Sequence, residues 1–170
     1  MPYQKKINWM DPAKAVSVQV FTQYKFKSAV LDYQVQVEGE LADIITRHFQ
    51  KPSAYNLKNM GFERRIDLVC ALIGETHNDE IWPLVKNLGK LRNKYSHSRF
   101  TETAEGKSEI AKITNDIFGQ VRNIRPDLNF DGVAERDLEI VSQAHFIVQR
   151  FFREINEGLD ERGIPKLPRT

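Results

Sequence analysis

The sequence predicts an all-α fold, a single-domain bundle of four to six helices, on three observations. Apolar residues recur at three- and four-residue spacing in four or five separate stretches. The breaks between those stretches fall at proline, glycine and short polar runs. The length of 170 residues, 41% of them hydrophobic, suits one well-filled core better than two.

The first 26 residues predict an N-terminal extension, helical or partly extended. Asp11 and Pro12 make a plausible N-cap and first turn, whereas Val16, Val18 and Val20 alternate as a short strand would. From Lys27 to Phe49 the pattern Val30, Leu31, Val37, Leu41, Ile44, Ile45 and Phe49 predicts the first long helix. Pro52 and Ser53 interrupt it, and a shorter, buried helix follows from Phe62 through Ile66, Val69, Cys70 and Ile73 to a stop at Gly74.

The third helix is expected to start after Asn78 or Asp79, to tolerate Pro83 in its first turn, and to run along Ile81, Leu84, Val85, Leu88, Leu91 and Tyr95. Polar and small residues from Thr101 to Gly106 then predict a surface loop. Ile110, Ile113, Ile117, Phe118 and Val121 form a fourth apolar face. Arg125-Pro126-Asp127 breaks the chain, and a last helix from about Asp131–Val133 carries Leu138, Val141, Phe146, Val148, Phe151, Phe152 and Ile155. The bundle thus spans residues 27–157, and residues 158–170, with two prolines and no period, are expected to form a flexible tail.

Charge narrows the function classes. Lysine and arginine total 25 against 23 aspartate and glutamate, so any grip on a polyanion must come from a local patch. The one cysteine, Cys70, lies in an apolar run, which excludes an internal disulfide and predicts a buried, unreactive thiol in a reducing compartment. No run approaches a membrane span and the start leads into polar sequence, so a cytoplasmic protein is expected. His48, His77 and His145 show no zinc spacing and read as surface or satisfied core residues. Glycines form no phosphate loop; neither metal nor cofactor is expected. The basic pairs Arg64-Arg65 and Arg150 with Arg153 read as solvated helix faces. No helix-turn-helix pattern precedes a basic second helix, so direct sequence-specific DNA binding is not expected.

Chemistry concentrates in Leu91-Arg92-Asn93-Lys94-Tyr95-Ser96-His97. Arg, Asn and His at this spacing should arise by chance only about 0.02 times in such a chain. Arg92 falls beside the apolar face, where a guanidinium that cannot lose its proton needs a partner, and Glu38 or Glu40 of the first helix could supply one. A regular helix puts Asn93 and His97 on one face but Arg92 about 140° round from His97. Convergence then needs the helix to loosen near Ser96, or a second copy of the chain.

This segment resembles the signature of the HEPN superfamily, helical-bundle proteins that include toxin ribonucleases and defence nucleases. The stretch from Phe62 through His97, with Phe62-Glu63-Arg64-Arg65-Ile66 and Ala71-Leu72-Ile73-Gly74, is also similar to the mannitol-operon repressor group, over about a third of the chain. The first resemblance implies metal-independent endoribonuclease chemistry in a homodimer. His97 would be the general acid or base, Arg92 the cation on the phosphate, and Asn93 an orienting hydrogen-bonder. Lys94 and Arg99, extended by Lys90 and Lys86, would supply RNA-binding potential. The second implies a non-catalytic helical regulator acting through a protein partner. An immunity or antitoxin-like partner is a third possibility, for which an exposed apolar patch around Phe151 and Phe152 would speak.

Overall fold

The computed structural model describes residues 12–49, 59–74, 80–97, 101–133 and 135–164. Among them the chain is all helical, with five helices: α1 Pro12–Arg47, α2 Phe62–Ile73, α3 Ile81–Ser96, α4 Ala104–Ile124 and α5 Arg136–Glu161. Together they enclose one core, to which all five contribute buried residues.

Side-chain pairs fix the directions. Tyr33 meets Ser142 and His145, Gln36 meets Gln149, Glu40 meets Asn156 and Arg47 meets Asp160, so α1 and α5 run side by side in the same sense. Helix α3 runs against α2, through Lys86 to Asp67 and Gly89 to Phe62, and against α4, through Asn87 to Gln120 and Lys94 to Glu109. Helix α3 is therefore flanked on both sides and buries Ile81, Trp82, Leu84, Val85, Leu88, Gly89 and Leu91. Between α4 and α5 the chain doubles back, and Phe130 from this connection packs edge-on against Phe118.

Several boundaries differ from the sequence expectation. Helix α1 starts at Pro12, so the alternating valines belong to a helix and not to a strand. The expected loop before α4 ends sooner: Thr103 caps the helix by accepting from the Gly106 backbone N–H at 2.9 Å, which makes Ala104 to Gly106 its first turn. Helix α5 begins at Arg136, after a turn in which Gly132 adopts φ 73°.

The expected flexible tail starts too early. Leu159 is buried, Arg47 bonds Asp160 at 2.9 Å, and the Ile164 N–H donates to the Leu159 carbonyl, so burial and a cation fix the chain through Ile164. The proposed α3 caps Asn78 and Asp79 lie outside the described residues, as do residues 165–170 and His77. No helix among the described residues is long and apolar enough to cross a membrane.

Candidate functional site

The arrangement of the motif follows from α3 staying regular to its end. The helix continues through Ser96, whose hydroxyl donates to the Arg92 carbonyl at 3.0 Å, and closes with the His97 N–H on the Lys94 carbonyl at 3.3 Å. The loosening that would swing His97 toward Arg92 does not occur. By helix geometry Lys86, Lys90, Asn93 and His97 fall within about 60° of one another, whereas Arg92 stands about 140° from His97.

Arg92 is nevertheless tied to that face. Its Nη1 donates to Asn93 Oδ1 at 3.1 Å, so the guanidinium bends over its neighbour instead of entering the core. The expected ion pair with Glu38 or Glu40 is not formed. Glu38 lies 3.7 Å from Arg65 and accepts from Gln34, and Glu40 accepts from Asn156 Nδ2 at 3.0 Å. The reason is positional: Arg65 on α2 and Asn156 on α5 face α1, whereas Arg92 is only half-buried and turns toward solvent. With its oxygen occupied by arginine, the Asn93 amide nitrogen has no acceptor among the described residues and keeps its donors for another one.

His97 is exposed, and its ring has no hydrogen-bond partner among the described residues. Lys94 differs from the expectation for it, because its ammonium pairs with Glu109 of α4 and so braces two helices. Lys86 lies 3.6 Å from Asp67. Lys90 is exposed, and Arg99 lies outside the described residues.

One feature was not foreseen from sequence. A groove of about 480 Å³ opens between the start of α2 and the middle of α3, lined by Phe62, Glu63, Arg64, Lys86, Gly89, Lys90 and Asn93 among others. It exists because α3 has no side chain at Gly89. A Cβ there would stand 2.5 Å from Cδ1 of the Phe62 ring and closer still to Cε1. A lone glycine in a helix was the available sequence signal, since such a residue commonly marks close packing.

A larger cleft of about 700 Å³ is lined by Phe26, Tyr95, Ile110 and Leu138, with charges of both signs around it. Tyr95 lies about 160° round α3 from Asn93, so this cleft opens on the other side of the helix. Its hydroxyl is pushed up to about 12, first by burial and then by Asp137, which keeps the phenol neutral.

Other expectations are corrected. Phe151 and Phe152 are buried against Trp82, at ring-centroid distances of 5.2 and 6.2 Å, so they do not form the exposed apolar patch that would have spoken for an immunity or antitoxin-like partner. Cys70 is only half-buried, but burial and Asp67 push its thiol up, which makes it a poor nucleophile. His145 is a core histidine whose Nε2 is buried without a partner, and burial lowers it to about 4. Among the described residues no group of three His, Cys, Asp or Glu side chains is disposed to hold a metal ion.

Compared with protein-family models, curated proteins and solved structures, the chain gives no match in any of the three.

Proposed function

We propose that this protein is a metal-independent endoribonuclease whose reactive groups are completed by a second copy of the chain. One observation supports it above all: Asn93 and an exposed His97, without a hydrogen-bond partner among the described residues, share the outer face of α3 with Lys86 and Lys90, and Arg92 reaches over to Asn93. Histidine titrates near neutrality and can take a proton from a ribose 2′-hydroxyl or give one to a leaving oxygen. In the reaction the 2′-oxygen bonds to phosphorus, the bond to the 5′-oxygen breaks, and the imidazole takes the proton from the first oxygen and gives one to the second. The products are a 2′,3′-cyclic phosphate and a 5′-hydroxyl. Arg92 and the free amide donors of Asn93 meet the charge that grows on the non-bridging oxygens.

Within one copy Arg92 and His97 diverge, so the reading requires a homodimer that presents the arginine of one subunit to the histidine of the other. Its test is cleavage of a mixed, end-labelled RNA pool by wild type, Arg92→Ala and His97→Ala. Each variant alone is expected to be inactive. Mixing the two should restore roughly a quarter of wild-type activity, since half the dimers are mixed and each of those keeps one intact site of two. Activity retained by both variants would sink the proposal.

The second reading, a non-catalytic regulator that binds a protein partner, is favoured by the same regularity of α3, which splays the motif. For this reading the two variants and their mixture are equally inert toward RNA.

A further inference from the structure

The groove between α2 and α3 meets the reaction just described only at its α3 side, and its charged lining is mostly cationic. Arg64 and Lys90 are exposed on its two walls, and neither has a hydrogen-bond or ion-pair partner among the described residues. Lys86 adds a third cation, weakened by Asp67 at 3.6 Å, and Glu63 is the one acidic residue of the lining. Asn93 belongs both to this groove and to the motif face. From Lys86 to His97 the line of polar residues along α3 covers about 16 Å, more than one phosphate needs.

We propose that this groove is a second phosphate-binding subsite, gripped by Arg64 and Lys90, that holds a single strand of RNA and leads it along α3 past Asn93 to His97. The inference rests on the ribonuclease reading for the identity of the strand, and on the groove alone for the site. Its shape argues for a flexible strand. The Phe62 ring packs close over Gly89 and lines the groove together with the cations, an arrangement that suits a sugar-phosphate chain with a base against the ring. Arg64, which its sequence neighbourhood marked only as part of a solvated face, becomes a substrate contact on the opposite wall from α3.

The test separates binding from cleavage by using a fluorescent 2′-O-methyl RNA oligonucleotide, which keeps the phosphates and lacks the attacking hydroxyl. Binding is followed by anisotropy against salt concentration for wild type, Arg64→Ala, Lys90→Ala and the double variant. Each removed cation should lower the slope of log K against log salt by about 0.7, and the pair by about 1.4, whatever the base sequence. Both residues are exposed, so the variants should fold, and unchanged thermal melts check this. Wild-type binding with these slopes but no cleavage of ordinary RNA would support the subsite while overturning the ribonuclease reading. Unchanged slopes in the double variant, or binding of polyglutamate with no binding of the oligonucleotide, would overturn the subsite.

Discussion

Acid should weaken this fold through His145 more than through any other single group. The ring stacks on Tyr33 with centroids 4.1 Å apart, and its Nε2 is buried with no partner. Burial lowers the imidazole from 6.5 to about 4, so the folded state resists a proton that the unfolded chain accepts. The unfolded state therefore binds more protons below pH 6.5. The stability present above that value is lost as the pH falls toward 4. For these two values the loss is about 2 kcal/mol at pH 5 and about 3 kcal/mol below pH 4. Urea unfolding at pH 7.5 and pH 5.0 measures it: with a slope near 2 kcal/mol per molar, the midpoint should fall by about 1 M from this group. His145→Phe keeps a ring against Tyr33 and cannot titrate, so it should lack that part of the loss, while carboxylate contributions remain common to both proteins. If the variant loses as much stability as wild type between the two pH values, the buried neutral histidine is not the cause.

Two glycines should respond in opposite directions. Gly89→Ala gains about 1 kcal/mol in helix propensity, but overpacking against Phe62 costs about 1 to 3 kcal/mol, so calorimetry should show a net loss and the groove should be distorted. Gly119→Ala on α4 meets nothing within 4 Å and should raise stability by about 0.5 to 1 kcal/mol. Arg47→Ala removes a buried guanidinium that bonds Asp160 and the carbonyls of Asn156 and Ile164. It should cost about 2 kcal/mol and raise amide exchange at the end of α5 first.

The helices were legible because each buries one face, and most of the apolar residues that recur at helical spacing fill the core or pack against it, whereas Phe146, expected on the apolar face of the last helix, is 56% exposed. Boundaries were less so. The valines near the start of α1 satisfy two periods at once over a short window, and only the length of the helix decides between them. The end of α5 is held by Arg47, more than a hundred residues away in sequence, which no local pattern reveals. In the candidate site, spacing alone placed Asn93 and His97 on one face and Arg92 away from His97, and α3 keeps that geometry. Spacing could not choose the partner of Arg92, because Glu38 and Glu40 are claimed by residues on α2 and α5. The groove was invisible for the same reason: it is made by a ring from one helix lying over a missing side chain in another.

The proposed cleavage of RNA by His97 and Arg92 through transesterification is tested most directly by the chemical identity of the product ends. Purified protein should be incubated with a defined RNA in EDTA and the fragments weighed by mass spectrometry. Wild type should leave 2′,3′-cyclic phosphate and 5′-hydroxyl ends, and His97→Ala should leave none. Intact RNA at high protein concentration, or fragments ending in 5′-phosphate, would contradict it.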